Sequence, residues 1–403
     1  MFDENFFLFV VNLFIMALCC GLFILMPRLT RKSYLFGVNI PPQQSGSPEA
    51  LALKRRYVHT CLLGFSIVML ICVIQFILWR DMTLLVTIYL PLLVILLGFV
   101  AFVPNWKKTL RLKEERGWQI TGDPLSEKGA SQTRGSLSSV PWMWYVLSFA
   151  LVAAGFALAI MRYPLLPELI PGHLDADMMP TRWVKKTWWN VLMMPLINAA
   201  TLALMIFVAI LIEKARLQVD PSKPRLSFAQ HRVYRKRLGH TMGFFTLVLI
   251  LFMAVMGLPV IFPDSSVWSA SVFWGSLIFI HIPIALLIAV LVKTGQGGCK
   301  VKINVEEDGE DSANNQASVS SGESGSASKS GCASKNGGNK TGDDKYWILG
   351  MFYYNPEDNA YFVENRFGTN IGFNYARLPG KIGMTVLLLG IIALYVWMTM
   401  LFV

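Results

Sequence analysis

The sequence predicts an all-α integral membrane protein with about eight transmembrane helices and a small cytoplasmic module that reads as a short β hairpin. Three observations carry that reading. Eight apolar runs of about twenty residues recur along the 403 residues, and a bilayer core about 30 Å thick takes about 20 apolar residues to cross as a helix. Charged residues make up 15% of the chain and apolar residues 54%, whereas soluble domains are about 25% charged. Lys and Arg gather in alternate loops, which is the mark of cytoplasmic loops.

The spans are expected at 5–26, 57–78, 82–104, 142–161, 188–212, 240–262, 271–292 and 382–402. The first follows an acidic Asp3-Glu4-Asn5 start. It lacks the basic start and small-residue cleavage site of a signal peptide, so it is expected to stay as a helix. Trp142, Trp144, Trp188 and Trp189 stand at span ends, where an interfacial belt puts them. Cys19, Cys20, Cys61 and Cys72 lie inside apolar runs and Cys299 and Cys332 in polar sequence. With no C-x-x-C, neither a metal site, a disulfide framework nor a cofactor is expected.

Of the 36 Lys and Arg, 31 fall in the loops 27–56, 105–141, 213–239 and 293–381. Basic loops stay cytoplasmic, so both termini and the 162–187 loop should face outward and 293–381 inward, in the cell membrane. The +11 net charge is spread over these loops rather than gathered on one module, so direct nucleic-acid binding is not expected. The organisation read from this is a three-helix membrane region at 1–140, with cytoplasmic loops, and a four-helix region at 141–293. A linker at 294–344, a cytoplasmic aromatic module at 345–380 and the last helix at 381–403 follow. Residues 305–344 are rich in Ser, Gly, Asn and acids, a composition expected to be disordered. The module runs from Tyr346-Trp347 through Tyr354-Asn355-Pro356 to Arg366 and Gly368. Its aromatics, the Asn-Pro turn and its glycines favour strands packed on the cytoplasmic face beside the last helix.

Four prolines, Pro164, Pro167, Pro171 and Pro180, make the 162–187 loop stiff and non-helical. Glu168, His173, Asp175 and Asp177 crowd on it. They read either as a loop bonded to its own backbone, as a ligand contact, or as metal or proton chemistry. Inside the spans, His281 precedes Pro283, which frees a carbonyl around Phe279. An intramembrane histidine is a functional candidate or a partner to a neighbouring helix. Asn12, Gln75 and Asn198 read as interhelical glue. The cluster His231-Arg232-Val233-Tyr234-Arg235-Lys236-Arg237, just before the sixth span, suits anionic lipid, a partner protein or orientation alone. Catalytic motifs are absent from the sequence, and no enzyme activity is expected.

Tyr163, Pro164, Pro167, Pro171, His173, Asp175, Pro180, Trp183 and Lys186, running on to Pro195, resemble the signature of SdpI-like bacterial membrane proteins. Met178 stands where that family has Gly, and Thr181 where it has Asp. The module at 345–376 and Leu35–Pro42 are similar to segments of longer members that carry a small domain of unknown function. The resemblance implies immunity to, or sensing of, a secreted antimicrobial peptide or envelope stress. It also implies relay to a cytoplasmic regulator, with His173 helping to shape the outward site. A transporter or permease for a small or lipidic solute is the alternative, and it requires His281, Asn198 and Gln75 to line one polar cavity.

Overall fold

The computed structural model describes residues 4–118, 140–174, 178–218, 223–263, 269–303, 343–367 and 371–402. Its helices are α1 (Glu4–Leu29), α2 (Pro48–Leu78), α3 (Thr83–Glu115) and α4 (Trp142–Arg162). They continue with α5 (Trp188–Lys214), α6 (Pro224–Ile261), α7 (Ala270–Thr294) and α8 (Leu378–Phe402). Among the described residues, α1 to α7 are long and apolar enough to cross a membrane. The eighth expected span coincides with α8, whose apolar stretch is described over Leu378–Gly390. The all-α membrane fold is therefore present. The linker expected at 305–344 lies, up to residue 342, outside the described residues.

Several helices begin before their apolar runs. Ser47 caps α2, its side chain accepting from the Ala50 N–H with Pro48 at the first position, so the helix starts nine residues ahead of the expected span. α6 has 38 residues, about 57 Å at 1.5 Å per residue, nearly twice a bilayer core. Its first turns carry the 231–237 cluster. That cluster therefore lies within a helix rather than in a loop before it, which corrects the sequence reading.

Ring contacts fix which ends lie together. Phe9 stacks on Phe76, and Phe7 meets Trp274 edge-on, at 5.1 Å between centroids. The start of α1, the end of α2 and the start of α7 therefore share one end. The 162–187 segment joins them, because its Ile170 packs with Ile261 of α6. Among the described residues, Arg31, Gln218, His231 and Gln296 meet at the opposite end. α1, α2 and α3 pack around Met16, Phe36, Tyr57, Phe65 and Phe102. α4 to α7 form a second group, with Tyr145, Val152, Leu202 and Ile250 buried between helices. Cys61 and Cys72 pack as small apolar side chains in the first core.

At the Arg31 end the strands are short. β1 (Tyr34–Leu35) and β2 (Val38–Asn39) pair across Phe36-Gly37, both at positive φ, which is the conformation a two-residue hairpin turn needs. The module holds two hairpins rather than one. β5 (Trp347–Ile348) pairs with β6 (Phe352–Tyr353), and β7 (Phe362–Glu364) with β8 (Ile371–Phe373). It also sits between the helix groups instead of beside α8 alone. Gly37 and Gly350 press turn against turn, and a Cβ on Gly37 would lie 2.1 Å from the Gly350 oxygen. On the other side, Arg216 just past α5 bridges to Val363 in β7.

Candidate functional site

The proline loop is an antiparallel hairpin, β3 (Leu169–Leu174) against β4 (Pro180–Lys185), with a register shift around Gly172. Position 172 has room only for glycine, because a Cβ there would meet Val184 at 2.5 Å. Pro164 lies in the tight turn Tyr163–Leu165 that ends α4, and Pro167 leads into β3. Pro171 is buried opposite Trp183. Lys186 locks the base. Its ammonium donates to the Leu166 carbonyl at 2.8 Å and lies over the Tyr163 ring, while its N–H donates to the Glu168 carbonyl at 2.7 Å. Tyr163 also stacks on Trp188 at 3.6 Å, nearly parallel. Underneath, Leu166, Ile170, Ala159, Val191 and Ile261 form an apolar seat.

The face away from the seat is exposed. His173 stands opposite Arg182, and its Nδ1 lies 2.7 Å from the Thr181 hydroxyl. Thr181 therefore occupies the position from which a carboxylate would pair with His173. Met178 takes φ 61°, a left-handed conformation that suits glycine. Trp183 is half exposed, at 52%. Asp175 and Asp177 lie outside the described residues. The hairpin is thus a rigid mount that presents His173, Arg182 and Trp183 on an apolar seat.

At the opposite end a polar node closes the structure, and sequence reasoning missed most of it. Arg31, 5% exposed, donates to the carbonyls of Gln296, Gly297 and Gln218 and to the Ser227 hydroxyl at 2.7–3.3 Å. Its Nη2 lies 2.6 Å from His231 Nε2. The same Nε2 lies 3.1 Å from the Gln218 carbonyl, and Nδ1 lies 3.5 Å from a Glu364 oxygen. The other Glu364 oxygen accepts from the Gln218 N–H at 3.1 Å. Arg235 donates to the Glu213 and Ala215 carbonyls at 2.8 and 2.6 Å, closing the open end of α5 with a cation. So the 231–237 cluster divides. His231 and Arg235 are buried in the node, and Arg232, Lys236 and Arg237 stay exposed. The sequence signal was the Gln296-Gly297-Gly298 triplet after a basic helix end, where Gly297 and Gly298 take positive φ.

The module residues singled out in the sequence are mostly structural. Arg366 is fully buried, pairs with Asp344 and lies over the Tyr34 and Trp347 rings. Asp344 also pairs with Lys113 of α3 at 2.5 Å. Asn355 accepts from the Glu357 N–H at 2.9 Å ahead of the Pro356 turn and donates to the Tyr353 hydroxyl. Tyr354 is exposed, and Gly368 lies outside the described residues. Asp358 accepts from Arg216 at 2.6 Å and from the Tyr353 hydroxyl. Burial raises its pKa, but the Ala360 N–H and the Arg216 cation outweigh it and hold the carboxyl below its usual value.

The structure does not bring His281, Asn198 and Gln75 together. A cavity of about 440 Å³ between α2 and α3 is lined by Gln75 but by neither of the others. The Gln75 amide donates to the Trp79 carbonyl at the end of its own helix, so it caps α2 rather than joining helices. Asn198 is buried in α5. His281 is exposed on α7 and bonds the Leu277 carbonyl at 2.6 Å, not that of Phe279. Asn12 does bridge helices, donating to Thr87 of α3 at 2.9 Å.

Among known proteins, the family described as a domain of unknown function (DUF1648) matches residues 150–199. That stretch covers the larger part of α4, β3 and β4, every seat residue except Ile261, and the first half of α5. No curated protein matches the chain. No solved structure matches it either.

Proposed function

We propose that this multi-pass membrane protein acts in immunity to, or sensing of, a secreted antimicrobial peptide or envelope stress. The hairpin is its receptor surface and the 345–380 module its cytoplasmic relay to a regulator. One observation carries the reading. The SdpI-like signature residues divide by role on the hairpin: Tyr163, Pro171 and Lys186 build the mount, and His173 and Trp183 face away from it. The match at 150–199 covers the same segment. Orientation follows from charge. The loops 27–56, 105–141, 213–239 and 293–381 hold 31 of the 36 Lys and Arg, so in this reading they face the cytoplasm and the hairpin faces outward. The separation of Gln75, Asn198 and His281 favours this reading over a transport pathway.

The test is survival. The chain is expressed in a Gram-positive strain sensitive to an SdpI-type killing peptide, beside His173→Ala at matched membrane level. The wild type should protect and His173→Ala should protect less. An inserted wild type that gives no protection removes this peptide as the ligand, and protection kept in full by the variant moves the site into the helices.

A further inference from the structure

The node buries Arg31, His231, Arg235 and Glu364 outside the apolar spans, and receptor action at the hairpin has no direct use for them. Their placement supplies one. α6 ends at Ile261 in the apolar seat of the hairpin. Thirty residues earlier, about 45 Å along the same helix, His231 and Arg235 hold the node. α5 runs beside α6 over this distance. It begins with Val191 in the same seat and ends with the carbonyls that Arg235 clamps. The two helices are fastened at both ends.

The module has two anchorages. Glu364 meets His231 and Gln218, and Val363 bridges to Arg216, on the α5–α6 side. Asp344 meets Lys113 and the Asn39 N–H on the α1–α3 side. Little slack separates node and helix. A Cβ at Gly297 would lie 2.4 Å from both Arg31 Nη2 and His231 Cε1. A displacement of α6 at that depth therefore moves the packed groups around it, as close-packed interiors require.

We propose that α5 and α6 form a coupled pair that transmits displacement of the hairpin to the module through His231, Arg235 and Glu364. The Asp344 anchorage stays fixed on α3. Movement of the pair against α3, with the Arg31 end of α1 held to α6, then shears β7 and β8 against β5 and β6. The inference deepens the receptor reading by naming how the hairpin controls the module, and it rests on that reading for its biological use. Coupling is reciprocal, so a change at either end must be felt at the other.

Hydrogen exchange of the full chain in lipid nanodiscs, with no peptide added, tests this. Ile170→Ala loosens the seat and should speed exchange at 362–366 about fivefold, the lower end of ordinary coupling energies. Glu364→Gln should speed exchange in 169–174 and 180–185 by a similar factor. Asp344→Asn should loosen 343–353 and leave the hairpin unchanged. Ile261→Val replaces Ile170→Ala if that variant does not insert. The proposal is overturned if either change stays local, or if Asp344→Asn disturbs the hairpin as much as Glu364→Gln does. Because no peptide enters the experiment, its outcome is independent of the survival test.

Discussion

Replacing Arg31 by Met removes the centre of the polar node while keeping a chain of similar length. Five side-chain contacts disappear, to Gln296, Gly297, Gln218, Ser227 and His231. Each buried acceptor left unsatisfied costs about 1–3 kcal/mol. Partial relaxation and water entry bring the total to about 3–5 kcal/mol, the scale for breaking a buried charged network. Cys299 is the built-in reporter, because its thiol lies 3.8 Å from the Leu29 carbonyl next to Arg31. Burial pushes the Cys299 thiol up, so labelling is slow while the node is closed. A loss of about 3 kcal/mol raises the open population about 100-fold. Labelling of Cys299 by a water-soluble maleimide, read by peptide mass spectrometry, should accelerate accordingly. Arg31→Lys keeps the charge but not the fork of donors, so about tenfold is expected. An inserted Arg31→Met protein that labels within about twofold of the parent refutes the packing argument, since about tenfold is already only 1.4 kcal/mol.

Tyr163→Ala removes the Trp188 stack and the surface under the Lys186 ammonium, together about 1–2.5 kcal/mol. Limited proteolysis should cut the hairpin faster in that variant. Gly350→Ala should detach the module from the β1–β2 hairpin, because Gly350 sits at φ 70° and a Cβ would meet Trp106 at 2.6 Å. Left-handed strain alone costs about 1–2 kcal/mol, readable as faster exchange at 34–39. The depressed Asp358 carboxyl contributes stability that is present above its unfolded pKa and is lost as pH falls through the lower folded value. Asp358 should therefore hold the module from pH 7 to about 5 and release it below about 4, and Asp358→Asn should abolish that acid step in a fluorescence titration.

The helices were legible because apolar length is a local property: α1, α2, α4, α5 and α7 cover their expected spans. The early starts of α2 and α6 were written in Ser47-Pro48 and Pro224, capping signals that hydropathy does not weigh. The prolines marked the 162–187 segment as non-helical, yet the stacking of Tyr163 on Trp188 with Lys186 nearby depends on geometry that spacing does not give. The node was hidden for a stronger reason. Arg31, His231, Gln296 and Glu364 come from four distant segments, two just past helix ends, one within α6 and one in β7, and each alone reads as an ordinary polar residue. Only the folded chain shows that the 231–237 run divides between a buried and a solvated face. His281 misled in the opposite direction. Its ring bonds its own helix, so a polar residue in a span served the backbone and not a shared cavity.

The central claim is that the hairpin is the receptor surface. The most direct test is a photo-cross-linking residue at position 183, where Trp183 is half exposed, in cells challenged with a labelled SdpI-type peptide. A matched probe at position 71 reports the α2–α3 cavity. The account predicts an adduct at 183 that is lost when unlabelled peptide competes, and none at 71. Adducts at 71 with none at 183 would contradict it and place recognition within the membrane helices.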